Sequence, residues 1–401
     1  MILKVKKHMG WVTIILAIIG FVFLAVFGLM IAGGLFAPAE YLQPWQPDYS
    51  TQFADVRLRA AAAGLLAPNG HNMQPWLIRL DEQDPQSFYL YGDPERLTPE
   101  VDPAARQFMV TQGAFLEYVR SAAGQLGYTA VIDLFPQGPI DEADLSASLR
   151  RLPIAKITLK AAAGQPDSLA QYIYLADTNR SAYADQPLTP AQLEALQSMP
   201  MESGLKLSVI TQPETVQDLN AIALQAAKIE ASVERVMAEG DSIFRANEGQ
   251  KNDYRYGFSV EGQGTQGLMK YLLQGLLTLF PSMNNSQASA ERYIQTAEME
   301  TAHTPAYVFI LSQDNSRASQ VLAGMAYARL VLNAHAQDLV VQPMSQALEE
   351  YTEMRPVYDM IHSAYAPGGE TIQMLVRIGQ ATVTYPPSMR RDLQDLLINT
   401  P

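Results

Sequence analysis

The chain has 401 residues, 48% of them hydrophobic, and a formal net charge of −13. That is enough for one large or two medium domains, and the acidic balance argues against a nucleic-acid partner, whose backbone calls for a basic surface. There is no cysteine, which excludes disulfides, thiolate nucleophiles, iron–sulfur clusters and cysteine zinc sites, and the five scattered histidines show no paired spacing of the kind a metal site uses. Redox chemistry here needs an organic cofactor.

In chain order, Lys4, Lys6 and Lys7 precede a stretch, 9–39, that carries no charged residue, and 11–36 is almost wholly apolar. About 20 such residues span a bilayer as a helix. The run is longer than the ~7–15 apolar residues of a signal peptide, so an uncleaved anchor is expected. The lysines set the N-terminus in the cytoplasm and the rest outside it, in the periplasm. Residues 1–39 are thus expected to be a cytoplasmic tip and transmembrane anchor.

The first globular half is expected over 40–162. A short Ala/Leu-rich helix over 57–66 runs into Ala-Pro-Asn-Gly-His-Asn-Met-Gln-Pro-Trp (67–76) and then an alternating strand over 77–80. Pro68 ends the helix. Asn69 and Gly70 are turn residues. The turn presents His71, Asn72 and Gln74 together, stiffened by Pro75 and Trp76, and amide side chains offer both donors and acceptors to a planar heterocycle. A strand is expected over 87–92, a long helix over 103–127, and strands over 128–135 and 155–159.

The second half is expected over 163–401. It starts with a helix over 167–175, followed by Asp177-Thr178-Asn179-Arg180. Thr189-Pro190 with Gln192 predicts a capped helix. A strand over 206–210, a long helix over 213–237, a strand over 306–311, a helix over 319–337 and apolar strand material over 372–378 and 380–384 follow. Residues 240–300 read as irregular. Within them, 247–267 is polar with five glycines and 268–280 is strongly apolar, the build of a lid over a reactive site. Residues 113–128 align without gaps on 324–339, as a fused dimer would show.

The turn resembles the flavin-contacting turn of nitroreductase-like FMN oxidoreductases, roughly Pro-Ser-x-x-Asn-x-Gln-Pro-Trp. Asn72, Gln74, Pro75 and Trp76 match, and Asn69 stands where the family usually has Ser. Three further segments are similar in the family's order: Thr178-Asn179-Arg180, then Gln342-Pro343-Met344-Ser345, then the Arg377-x-Gly strand with Arg390-Arg391. The closest branch is the Acg-like one, with two nitroreductase halves in one chain. The resemblance implies an α+β nitroreductase-like fold of two pseudo-repeats behind one transmembrane helix, holding one FMN.

It further implies contacts to the flavin from Asn69, Gly70, His71, Asn72, Gln74 and Trp76. Arg180, with Thr178 and Asn179, would take the phosphate, a task suited to a forked, permanently charged guanidinium. Residues 342–345 would line the ring, with backbone N–H groups bonding it and Met344 packing on it. Arg390 and Arg391 would complete the phosphate site, and Arg377 would reach it or hold the loop. Ala176 and Asp177 stand where the family has basic residues, and an acid beside a phosphate is unfavourable. Electrons would pass from reduced flavin to a small-molecule acceptor, with no side chain as nucleophile, and the fused halves would allow a monomer. The alternative implied by Asp177 and the covering segment is a flavin-storing or flavin-free binding protein without turnover. No Gly-x-Ser-x-Gly elbow occurs, and Gly262-Gln-Gly264-Thr-Gln-Gly267 lacks the strand–helix setting of a nucleotide fingerprint.

Overall fold

The computed structural model describes residues 2–162, 167–283 and 286–399. The start of the expected second half, at residue 163, lies outside the described residues, as do residues 284 and 285 of the expected lid.

Helix α1 (Ile2–Ala32) contains the one helix segment among the described residues long and apolar enough to cross a membrane, Thr13–Ala32, with a mean hydropathy of 3.1, exposed along most of its length and packed on the rest of the protein only near its C-terminal end. After two short 3-10 turns comes α2 (Val56–Gly64), capped by Asp55, whose carboxylate accepts from the Arg57 N–H. Strands β1 (Trp76–Leu80) and β2 (Ser87–Gly92) form a hairpin. Then follow α3 (Arg106–Gln125), β3 (Tyr128–Leu134), α4 (Leu145–Arg151) and β4 (Ala155–Ala161). The first sheet has the order β1-β2-β4-β3 and is antiparallel throughout.

The chain continues through α5 (Pro190–Gln197), which carries the Thr189–Gln192 capping box that its sequence predicts, and β5 (Leu205–Ile210). Helices α6 (Pro213–Ser232) and α7 (Glu234–Ser242) follow, then β6 (Phe244–Arg245), α8 (Glu248–Tyr254) and β7 (Phe258–Ser259). Next are α9 (Gly267–Leu279), α10 (Ser286–Ala302), β8 (Ala306–Ser312), α11 (Arg317–Ala336) and β9 (Val340–Pro343). The last elements are α12 (Arg355–Tyr365) and β10 (Thr371–Gly379). The second sheet has the order β5-β8-β10-β9, again all antiparallel.

Both sheets therefore run first–second–fourth–third, and in each a long helix, α3 or α11, joins the second strand to the third. The two helices cross in close contact. A Cβ on Gly113 would stand 1.8 Å from the Val321 carbonyl oxygen, and a Cβ on Gly324 would stand 1.8 Å from that of Val110. Glycine is required at both places because backbone meets backbone. One apolar core lies between α3 and the first sheet and includes Val321, Met325 and Leu332 of α11. A second lies between α11 and the second sheet, whose other face is covered by α6 and α12. After β10 the chain returns to the first sheet: Leu393 and Leu396 enter its core, and the Ile398 N–H donates to the Ile78 carbonyl at 2.9 Å.

Several expectations need correction. The helix expected over 213–237 breaks at Val233, whose φ/ψ of −96/99 is extended. The segment 240–300 is largely helical, because α8, α9 and α10 fill it. The helix over 167–175 is a short 3-10 turn, Ser168–Tyr172. No strand forms over 380–384, where only an isolated bridge joins Ala381 to Tyr183.

Candidate functional site

A cavity of about 640 Å³ lies where α3, the turn after α2, the segment 178–180, the loop after β9 and the helices α6, α7, α9 and α10 converge. Its volume is that of a small-molecule or cofactor site.

The turn is held by its own strain and by the far end of the chain. His71, Asn72 and Gln74 all have left-handed φ, at 52°, 53° and 50°, which for non-glycine residues persists only when the surroundings enforce it. Asn69 Oδ1 accepts from the Gln74 N–H at 2.9 Å. Gln74 is fully buried; it donates to the Arg255 and Met389 carbonyls and accepts the Arg391 N–H at 2.7 Å. Asn72 donates to the Gly257 and Met389 carbonyls and accepts from Arg390 at 2.9 Å. Trp76 is buried against Phe115 and donates to the Thr111 carbonyl. Asn72, Gln74 and Trp76 thus lie outside the cavity lining, and Asn69, Gly70 and His71 form its wall.

In the segment after Ile173, side chains alternate. Asn179 turns inward, its N–H donating to the Val341 carbonyl and its amide to that of Val383, while Thr178 and Arg180 on either side line the cavity. Neither Asp177 nor Asp185 pairs with Arg180. Asp177 is held by the buried Arg390 at 3.3 Å, and Asp185 meets His303. Among the described residues Arg180 has no hydrogen bond or ion pair, although the carboxyl of Glu300, which also lines the cavity, lies near enough to feel its charge. Asp177 does not line the cavity, and the expected clash between it and an anionic ligand does not arise.

Gln342, Pro343, Met344 and Ser345 line the cavity as expected. The Met344 N–H, however, is already donated to the Leu375 carbonyl at 2.7 Å, so it is not free for a ring. Arg377 is fully buried, lies 3.9 Å over the Tyr183 ring, and bonds Gln342 Oε1 and the carbonyls of Glu300, Asn179 and Ser181. It holds the loop and does not reach the cavity. Arg390 and Arg391 are likewise committed, Arg390 to Asn72, the Leu66 and Ala67 carbonyls and Asp177, and Arg391 to the carbonyls of Gln74 and Asp395.

The cavity also uses residues that the sequence reading passed over: Gln107 and Thr111 of α3, Glu230 of α6, Tyr293 of α10, Tyr327 of α11, and Glu349. A polar i, i+4 pair inside an otherwise apolar helix was the available signal for Gln107 and Thr111. Buried polar atoms lining the cavity, among them His71 Nδ1, Tyr327 Oη and Gln373 Oε1, have no hydrogen-bond partner among the described residues, while the Gln107 and Glu349 side chains meet each other. Orphaned buried groups are rare and call for a ligand or water. Burial, and then the charge of Arg180, lowers the His71 pKa to about 4, so the imidazole is neutral at pH 7. Burial raises Glu230 to about 7 against its bonds to Tyr293 and Gln346, and raises Glu349 and Glu300 as well. The cavity thus carries less negative charge than its composition suggests.

A Mycobacterium tuberculosis protein bearing the provisional name NAD(P)H nitroreductase is 25% identical to this chain over 339 residues, 82% of this chain and 88% of the relative. An uncharacterized protein of the same organism is 31% identical over 123 residues, 30% of this chain and 33% of its own length. No protein-family model matches. Among solved structures, an FMN-bound nitroreductase of Desulfitobacterium hafniense overlaps 56% of this chain and 94% of its own at 11% identity and a TM-score of 0.32. The nitroreductase NfnB of Mycobacterium smegmatis, solved with NADPH, overlaps 57% of this chain and 96% of its own at 16% identity and the same TM-score. The likeness to nitroreductases is carried by the sequence relative.

Proposed function

We propose that this chain is an FMN-dependent oxidoreductase of the nitroreductase-like kind, built from two tandem copies of one unit, anchored by α1, with its body outside the cytoplasm. The observation that carries the cofactor is the Arg180 guanidinium, free of any hydrogen bond or ion pair among the described residues, in a cavity lined also by the strained turn with its unpartnered His71 Nδ1. The residues fit the group. Arg180 and Thr178 would hold the phosphate, and Asn69, Gly70, His71, Gln107 and residues 342–345 would face the ring system. Bound there, FMN would supply the electron and hydride transfer, while the protein supplies binding, orientation and exclusion of side reactions. Neutral His71 offers a hydrogen bond and adds no charge near the ring, and burial, which raises the Glu230 and Glu349 carboxyls, reduces the negative charge that would repel an anionic cofactor.

The tandem, Acg-like reading is supported by the shared strand order of the two sheets and by the reciprocal contact of Gly113 and Gly324, positions that the gapless internal alignment equates. The anchor reading is supported by the exposed apolar Thr13–Ala32 segment behind three lysines. A body outside the cytoplasm has no access to NAD(P)H, so the donor would be another reduced compound, passing electrons on to a small-molecule acceptor. Expressed with its anchor and purified in detergent, the protein should be yellow with a flavin absorption band. The band should bleach with a donor and return with an acceptor. A colourless preparation that does not take up added FMN would refute the cofactor, and a yellow one that does not bleach would make it a flavin store.

A further inference from the structure

Helix α9 is built inside out. Its buried face carries Lys270, Gln274 and Gly275, whereas Leu268, Met269, Leu279 and Phe280 are between 53% and 66% exposed, followed by exposed Met283. With the half-buried Leu272 and Leu276 these residues recur every three or four positions and form one outward stripe. Soluble proteins rarely show a contiguous apolar patch without a partner. The inward charged groups are paired, and of the inward polar atoms Gln274 Oε1 alone lacks a partner among the described residues. Lys270 pairs with Glu248 at 2.9 Å and Glu261 at 2.6 Å, Lys251 pairs with Glu248 at 2.8 Å and bonds Tyr41, and Gln274 donates to the Gly33 carbonyl at 2.9 Å. The charges balance, so the helix is locked with this face inward.

The same helix packs backbone to backbone on the end of α1. A Cβ on Gly275 would stand 1.8 Å from the Leu29 carbonyl oxygen, and one on Gly33 would stand 2.1 Å from that of Tyr271. Small residues allow such close helix approach within bilayers. The pairing is antiparallel, because Tyr271 faces Gly33 and Gly275 faces Leu29. Following α9 toward Phe280 therefore leads back along α1 into the apolar span, by up to about 6 Å per four residues. Residues 271–290 contain no charged side chain. On its cavity side, α9 contributes Leu273 and Leu277 to an apolar end made with Val236, Phe244 and Phe258.

We infer that α9, with the residues that follow it up to Met283, forms a second membrane-inserted element, covered by the outer leaflet of the bilayer that holds α1, and that the cavity takes a lipid-soluble ligand of the quinone class from that side. The inference rests on the anchored reading of α1. A single helix then separates the cavity from lipid, and a charged dinucleotide would not enter through this apolar end.

Because the chain has no cysteine, single cysteines can be placed in the full-length protein in phospholipid vesicles and labelled with an environment-sensitive fluorophore. Leu24→Cys reports α1, Met269→Cys and Phe280→Cys report α9, and Val131→Cys on β3 serves as the exposed control. Spin-labelled lipid should quench the probes at 24 and 280 at least twofold, that at 269 less, and that at 131 not at all. Quenching at 24 without quenching at 280 would overturn the inference and leave the anchor standing. Absence of quenching at both would remove the anchor and the inference with it. Energy transfer between copies labelled at 280, without lipid quenching, would show a second copy on the stripe and also overturn it. In the same vesicles, a photoreactive alkyl-tailed quinone should label the peptide containing Leu273 and Leu277. Labelling confined to peptides outside the cavity would refute the ligand class.

Discussion

Replacing Gly113 by alanine tests the contact at the centre of the molecule. The added methyl would stand 1.8 Å from the Val321 carbonyl oxygen and 2.8 Å from the Met325 nitrogen, against an ordinary separation of roughly 3.5 Å. Side-chain adjustment cannot relieve it, since both neighbours are backbone, so α3 and α11 must move apart by about 1.5 Å. Overpacking costs ~1–3 kcal/mol, and the upper end applies where two buried helices with cores on both outer faces have to separate. Alanine returns ~1 kcal/mol of helix propensity, leaving a net loss of about 2 kcal/mol. Gly324→Ala should cost the same, because its methyl meets the Val110 carbonyl at the same 1.8 Å. The double variant should lose less than the sum, since helices already separated by one methyl accommodate the other. Denaturant titration followed by tryptophan fluorescence reads this directly, with Trp76 stacked 5.2 Å from Phe115 beside the contact. A neutral Gly113→Ala, unequal single losses, or strict additivity in the double variant would refute the reciprocal contact.

Other expectations follow from the site. Arg180→Ala should weaken FMN binding about ten- to a hundredfold, the worth of a charge-assisted hydrogen bond, and leave riboflavin binding nearly unchanged; equal losses in a calorimetric titration would show that Arg180 does not meet the phosphate. Arg390→Ala should lower stability without discriminating FMN from riboflavin, because its guanidinium is bound within the protein. Glu230 has a folded pKa near 7, above its unfolded value of ~4.5, so the folded state retains a proton that the unfolded state releases. Its contribution to stability therefore falls as pH rises from about 4.5 to 7, and Glu230→Gln should remove that slope in denaturant midpoints measured across the window. A protease added to spheroplasts should degrade the body of the protein, and protection until lysis would place it in the cytoplasm.

The strands were legible because their apolar runs are bounded by turn residues, and α5 was legible from its capping box. The break at Val233 was not, because Glu234 to Met237 continue the helical pattern and tertiary packing decides the bend. At the site, Asn69, Gly70 and His71 were expected from turn chemistry and resemblance, and Thr178 and Arg180 from resemblance, and all five line the cavity. Arg377, Arg390 and Arg391 carry the same charge in the sequence, and only the fold shows that backbone carbonyls and Asp177 absorb it. Glu230 was invisible for a related reason: a carboxylate in a helix reads as solvent-facing until a second helix closes over it, and Glu349, in the loop after β9, carries no local mark of its burial.

The return of residues 390–398 to the first sheet has a consequence for the order of assembly. The early turn needs the Arg390 guanidinium on Asn72 and the Arg391 N–H on Gln74, and β1 needs Ile398 beside Ile78. These partners are more than 300 positions apart. The left-handed residues at 72 and 74 therefore lack these partners until the last strand has passed, and have until then only Asn69 and, later, the 255–257 segment to hold them. Contacts of such separation form late and slowly, so the first sheet must persist with an unfinished edge while the rest of the chain is made. Loss of residues 388–399 should leave two recognisable sheets and an unformed site between them.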